Sequence, residues 1–221
     1  MFVDSVFKNI LFDLGGLFIT VYSERFEQWL MRTYINGAVN DFSRRSIDGV
    51  HQQYEQGALS TAQFLSEIRS LLNDRVGTQD IEKAWNSILG SFSVDDLLWA
   101  SALRRSFRTA LLSNTNELHR ISFEETLRLQ TEGNDLTDYF GGVYYSQFLG
   151  LRKPSKDVFL RVLELEGWRA GETLFVDDNQ QNLQSAADLG MGVVLHPCNA
   201  PLRLHLEART DLPFHHFSSL S

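Results

Sequence analysis

The sequence is short of several features that mark large protein classes. It holds a single cysteine, Cys198, so no disulfide can form within the chain. A lone thiol suits a reducing compartment. No stretch approaches the roughly 18 uninterrupted apolar residues of a membrane span. Near the start, Lys8 and Asp13 interrupt the apolar residues, so no signal peptide is read there. Positive charge is in deficit: 20 Lys and Arg face 28 Asp and Glu, a formal net charge of −8. Such a chain is a poor general binder of nucleic acid or of an anionic membrane. Internal repeats and low-complexity segments are also lacking. These absences leave a soluble protein, expected in the cytoplasm.

What is present is a substantial apolar fraction, 43% of 221 residues. That suffices for one full core, or for a core plus a small second domain. Short β-like runs stand at 7–13, 108–113, 142–146, 173–177 and 192–196. Most are apolar without strict alternation, as expected of strands buried on both faces. Helical patterns over 116–129, 156–166 and 180–189 separate the last four. Strands alternating with helices predict an α/β fold with a doubly wound parallel sheet, Rossmann-like in outline. The gap from about residue 20 to 107 is too long for one crossover. It carries helical stretches at 23–34, 41–56, 61–72, 79–89 and 94–105. Phe64, Ile68 and Leu71, and likewise Ile81, Trp85 and Ile88, recur at helical spacing, and Ser60 or Thr61 can cap a helix after Gly57. The expected organisation is therefore a core of residues 1–20 and 92–221 with a helical insertion over 21–91. The last helix of the gap serves as the crossover to the second strand. Residues 200–221 receive no assignment.

In open α/β sheets, sites form at the carboxyl ends of the strands. The first strand, in "NILFDLGGLFIT", delivers Asp13 and then Gly15 and Gly16. The second ends in "LLSNTN", with Ser113 and Asn114. The third runs into "YYSQFLGLRKP", with Ser146 and then Lys153. The fourth ends in "FVDDNQQN", with Asp177 and Asp178. Three carboxylates at one edge repel unless one takes a proton or a cation sits among them. Oxygen ligands of this kind suit Mg²⁺, which takes one or two carboxylates, waters and a substrate phosphate. Lys153, Ser113 and Asn114 would hold phosphate oxygens, and Pro154 marks the start of a helix whose positive end faces them. Asp13 keeps an oxygen for nucleophilic attack. Plainer roles exist for each residue. Asp13 alone could be a turn residue, the Asp177–Asp178 pair a helix cap, Ser113 and Asn114 another cap, and Lys153 a solvated lysine.

In this order the residues resemble the haloacid dehalogenase superfamily of hydrolases. Asp13 is similar to its first motif, Ser113 to the second, Lys153 to the third and Asp177–Asp178 to the fourth. The helical insertion sits where the type-1 cap of that superfamily sits. "LSNTNELH", "GLRKP" and "FVDDNQQN" are most similar to the branch containing α-D-glucose-1-phosphate phosphatase, which also carries Asp-Leu-Gly in its first motif. The resemblance implies a Mg²⁺-dependent phosphatase acting on a small phosphorylated metabolite, in particular a sugar phosphate. Asp13 would be the nucleophile, with Asp13, the Gly15 carbonyl and Asp178 as metal ligands and Asp177 beside them. Lys153 would serve catalysis and phosphate binding.

Gly15 departs from the pattern. Most phosphatases of the superfamily carry a second aspartate there, which protonates the leaving group; such help is worth roughly 10²–10⁴ in rate. The loss leaves three readings: a substrate whose leaving oxygen departs easily, such as an anomeric phosphate; an acid from the insertion, with His51 and Glu55 in "VHQQYEQG" as candidates; or feeble activity. Arg25, at the start of the first inserted helix, is a candidate to reach the substrate. Competing functions are a dehalogenase in which Asp13 attacks carbon without metal, and a non-catalytic binding protein of the same fold. Trp85 is expected in the core of the insertion. No metal is read at His215–His216 and no nucleophile at Cys198.

Overall fold

The computed structural model describes residues 7–33, 41–209, 212 and 214, with no account of the side chains of 41–44. His215 and His216, at which no metal is read, lie outside the described residues. The first strand, β1 (Asn9–Phe12), leads into a short β2 (Ile19–Val21). Four helices follow: α1 (Ser23–Thr33), α2 (Asp41–Glu55), α3 (Thr61–Leu71) and α4 (Thr78–Asn86). The chain returns through β3 (Leu89–Phe92) and α5 (Val94–Leu103) to β4 (Arg108–Ser113). Then come α6 (Glu117–Gln130), the one-turn α7 (Leu136–Tyr139), β5 (Gly142–Tyr145), the one-turn α8 (Ser146–Leu149) and α9 (Lys156–Glu166). The chain closes with β6 (Thr173–Asp177), α10 (Gln180–Ala187), β7 (Gly192–Leu195) and α11 (Leu202–Glu207).

β1, β4, β5, β6 and β7 form one sheet in the order β5-β4-β1-β6-β7, and every pairing in it is parallel. Parallel strands are covered on both faces, which is why these runs read as apolar rather than alternating. In β1, Ile10 and Phe12 enter one cluster with α5, α6 and α11, through Leu97, Phe123 and Leu202. Leu11 points the other way, into a cluster with Phe159 of α9 and Leu183 of α10. The chain moves outward from β1 to β4 and β5, then crosses back to β6 on the other side. β1 is thus the point where strand order reverses, and the crevice beyond its carboxyl end is the expected binding place.

Helices α1–α4 carry their own cluster, including Phe26, Tyr54, Phe64, Ile68 and Trp85, over the carboxyl edge of the sheet. Thr61–Leu71 starts at a capping box: the Ser60 hydroxyl accepts from the Gln63 N–H, and the Gln63 side chain accepts from the Ser60 N–H. Three bonds tie these helices to the start of α6. The Tyr54 hydroxyl accepts from Leu118 N at 3.1 Å, Trp85 Nε1 donates to Asn116 Oδ1 at 3.3 Å, and His119 Nε2 donates to the Trp85 carbonyl at 3.0 Å.

Several expectations are corrected. The helix read over 79–89 stops at Asn86, because Leu89–Phe92 pairs antiparallel with Ile19–Val21. This ribbon forms the two crossings between the sheet and the inserted helices. The helix after Lys153 begins at Lys156, capped by the Ser155 hydroxyl, and not at Pro154. Asp177 and Asp178 do not cap α10; Asn179 does, with its side-chain oxygen on the N–H groups of Gln181 and Asn182. The unassigned tail contains α11, whose first N–H groups, of Leu202 and Arg203, donate to the buried carboxylate of Asp96 at 3.3 and 2.8 Å. Among the described residues, no helix is long and apolar enough to cross a membrane.

Candidate active site

A cleft of about 360 Å³ lies between the carboxyl ends of β1, β4 and β6 and the inserted helices, lined among others by Asp13, Ser113, Asn114, Lys153 and Asp178. At its floor, the buried Lys153 ammonium sits 2.6 Å from Asp13 Oδ1 and 2.8 Å from Asp177 Oδ2. One cation shared by two carboxylates leaves a net negative charge in a dry place. Burial pushes the Asp13 carboxyl up to about 7; Lys153 opposes the rise and Asp177 adds to it. Burial would lower Lys153, but its two acidic partners outweigh that and hold it above its ordinary value.

The two adjacent aspartates do different things. Asp177 is fully buried, and both its oxygens are occupied: Oδ1 accepts from Asn179 N at 2.7 Å, Oδ2 from Lys153, and Asn182 Nδ2 donates to both. Asp178 faces the cleft, where the Cys198 thiol donates to it. Asp13, Asp177 and Asp178 each offer an oxygen, all within 4.8 Å of one another. Among the described residues the Gly15 carbonyl accepts no hydrogen bond. Crowded carboxylate oxygens plus an unoccupied backbone carbonyl are a donor set that fits a hard divalent cation.

The glycines at 15 and 16 are not equivalent. Gly16 holds a left-handed backbone, φ +73°, and a Cβ there would collide with the Asp178 carboxylate and the Cys198 thiol. Only glycine fits such a turn. A Cβ on Gly15 meets just Val21 Cγ2, at 3.3 Å.

Ser113 ends β4 with its hydroxyl in the cleft wall. The Asn114 amide is committed elsewhere: Nδ2 donates to the Lys153 carbonyl and Oδ1 accepts from Lys153 N, both at 2.9 Å. Asn114 therefore fixes the lysine's backbone rather than offering its amide to a ligand. Ser146 is also withdrawn, its buried hydroxyl bonding both to Thr115 N and to Thr115 O. Arg25 does not line the cleft. Its guanidinium lies 3.8 Å over the Tyr22 ring and donates to the Ser87 carbonyl at 3.1 Å. From the inserted helices the cleft receives His51 and Glu55. Their sequence spacing, one helical turn, places His51 Nε2 3.1 Å from Glu55 Oε1. Asn182 and Arg152, the partners of Asp177 and Glu55, carried no signal in the sequence, because their roles depend on which strand end they meet in space.

A model of the haloacid dehalogenase-like hydrolases matches residues 7–190. The chain belongs to this family. It is 28% identical over 183 residues to a D-ribitol-5-phosphate phosphatase of Bacteroides thetaiotaomicron, covering 83% of this chain and 88% of that one. A haloacid dehalogenase family enzyme from the same organism, solved as its magnesium complex, superposes with a TM-score of 0.78 at 30% identity, covering 89% of this chain and 96% of that one. An L-2-haloacid dehalogenase of Xanthobacter autotrophicus, solved with chloropropionic acid covalently bound, shares the fold at 19% identity and a TM-score of 0.56, covering 97% of this chain and 88% of that one. The family membership makes this protein a hydrolase.

Proposed function

We propose that this hydrolase is a Mg²⁺-dependent phosphatase that cleaves a small phosphorylated metabolite, a sugar or sugar-alcohol phosphate, through an aspartyl-phosphate on Asp13. The carrying observation is the division of labour at the cleft floor. Asp177 spends its oxygens fixing Lys153, while Asp13 and Asp178 stay on the cleft wall. The relative named for D-ribitol 5-phosphate, and a structural relative solved with magnesium and inorganic phosphate, support this choice of chemistry.

In this reading the Asp13 carboxylate attacks phosphorus, aimed by Lys153 at 2.6 Å, whose charge opposes the rise that burial imposes on the carboxyl. The same ammonium offers its charge to the phosphoryl oxygens, and the Ser113 hydroxyl supplies a neutral donor beside it. Asn114 keeps the lysine in place through its backbone. The Gly16 turn brings the Asp178 carboxylate against the loop that carries Asp13. A divalent cation held by Asp13, the Gly15 carbonyl and Asp178 would, when bound, neutralise phosphate charge and relieve the repulsion among the acids. The unpaired Cys198 supports a reducing compartment, which we take to be the cytoplasm.

The test is a phosphate-release screen over ribitol 5-phosphate, hexose 1- and 6-phosphates and related metabolites, with Mg²⁺ and with EDTA. The expected result is release that EDTA abolishes. Release indifferent to EDTA, or no phosphate release together with halide release from 2-chloropropionate, would overturn the reading.

A further inference from the structure

The loop after β1 carries no acid at position 15, so a proton for the leaving group must come from elsewhere in the cleft, and most candidates are already committed. Asp13 is the nucleophile and Asp178 belongs to the acidic cluster. Lys153 is locked between two carboxylates. His119 lines the cleft, but both its ring nitrogens are used: Nε2 donates to the Trp85 carbonyl, so Nδ1 accepts from Asn116 Nδ2 at 3.2 Å. Burial holds it neutral, pushing its pKa down to about 4. The Cys198 thiol donates to Asp178 and is spent on the acidic cluster. Burial would raise Glu55, but His51 and Arg152 outweigh it and keep it ionised.

His51 remains. We infer that His51, projecting from α2, is the general acid and base of this phosphatase, with Glu55 as its positioning residue. Glu55 Oε1 accepts from His51 Nε2 at 3.1 Å, so that nitrogen carries a proton in either charge state. Glu55 Oε2 is anchored by Arg152 Nε at 2.8 Å, directly beside Lys153 in sequence. The ring is fixed edge-on against Trp85, centroids 4.8 Å apart at 86°. Nδ1 has no partner among the described residues, and the imidazole side chain is 33% exposed at the cleft. The titratable groups around it are Glu55 on its own helix and Arg152 on the loop behind Glu55, both charged, and the neutral His119 across Trp85.

The inference rests on the phosphatase reading and assigns it an acid. As the Asp13 oxygen bonds to phosphorus, the bond to the leaving oxygen breaks; that oxygen keeps the electron pair and takes the proton from His51 Nδ1, departing as an alcohol. In the second half, neutral Nδ1 takes a proton from water as the water oxygen bonds to phosphorus. The phosphorus–Asp13 bond then breaks, restoring the carboxylate and releasing phosphate. An acid in this place removes the need for an easily departing anomeric group, so primary alkyl phosphates become competent substrates.

The test compares leaving groups in His51→Gln and wild type, both with Mg²⁺. p-Nitrophenyl phosphate expels a stable phenolate that needs little protonation; D-ribitol 5-phosphate and glycerol 3-phosphate expel alkoxides. His51→Gln should lose about 10²-fold or more in kcat/KM on the alkyl phosphates the wild type cleaves and far less in kcat/KM on p-nitrophenyl phosphate, whose kcat should still fall behind a burst of p-nitrophenolate, because hydrolysis of the aspartyl-phosphate needs the same base. A p-nitrophenolate burst of about one equivalent also shows that the variant folds. Equal losses on both classes, no loss on either, or a wild type that cleaves only the aryl ester would overturn the role of His51. Absence of Mg²⁺-dependent turnover of every phosphate by the wild type would instead fail the phosphatase reading itself.

Discussion

Lys153 and Asp177 form a buried ion pair, Nζ to Oδ2 at 2.8 Å, in which the aspartate has no oxygen left over. Its neighbour Asp178 has its carboxylate on the cleft. The two adjacent acids should therefore fail in different ways when neutralised.

Asp178→Asn should raise the Mg²⁺ concentration needed for half-maximal activity on the order of tenfold or more, with little change in stability. Asp177→Asn should lower stability by about 1–3 kcal/mol, because it removes one of the two carboxylates that hold the buried Lys153 and the acceptor of the Asn179 and Asn182 bonds, and should shift the Mg²⁺ midpoint less. Mg²⁺ titrations of activity and urea unfolding of both variants check this. Equal Mg²⁺ shifts, or a stability loss in Asp178→Asn alone, would reverse the assignment.

The neighbouring glycines give a second contrast. A Cβ at Gly15 asks Val21 to move by a few tenths of an ångström, whereas one at Gly16 strikes the Asp178 carboxylate from a left-handed backbone. Gly15→Asp should fold, and in the His51→Gln background it should recover part of the lost alkyl-phosphate turnover by supplying an acid from the loop. Gly16→Ala should cost about 1–3 kcal/mol and displace Asp178, raising the Mg²⁺ requirement. Thermal unfolding and kcat/KM for the two variants decide it.

Buried His119 makes stability depend on pH. Its folded pKa is about 4, below the ordinary 6.5, so between those values the unfolded chain binds a proton that the native state refuses. Stability from this group is complete above pH 6.5 and falls as the pH drops towards 4, by about 2 kcal/mol at pH 5. Urea midpoints at pH 7 and pH 5 measure the loss. His119→Phe, which cannot titrate, should flatten that part of the profile, whatever its effect on absolute stability.

The five core strands were legible in the sequence because each is an apolar run buried on both faces, and three of the helices between them through their periodicity, although their caps, Asn116, Ser155 and Asn179, were not. Asp13, Ser113, Asp177 and Asp178 stood out because each lies at or just beyond a strand end, and Lys153, past β5 and α8, through its place in "GLRKP". The β2–β3 ribbon did not, since Ile19–Val21 has three residues and Leu89–Phe92 includes Gly90 and Ser91. Only its pairing across some seventy residues makes it a ribbon. Arg25 and Asn114 show the opposite limit. Their residue types suit phosphate, yet the structure commits one guanidinium to Tyr22 and Ser87 and one amide to the Lys153 backbone. Cys198 read as an isolated thiol after a strand, and only the fold brings it to Asp178. A sequence gives residue types and order; which partner each side chain spends itself on is decided by the turn geometry around it.

The central claim is a covalent intermediate on Asp13, and the direct measurement is rapid acid quench of wild-type protein turning over p-nitrophenyl phosphate with Mg²⁺, followed by mass spectrometry of the peptide containing Asp13. The account predicts a phosphorylated Asp13 in the wild type, and in Asp13→Asn neither the adduct nor turnover, because an amide cannot serve as the nucleophile. Full turnover by Asp13→Asn, or an adduct on another residue, would contradict it.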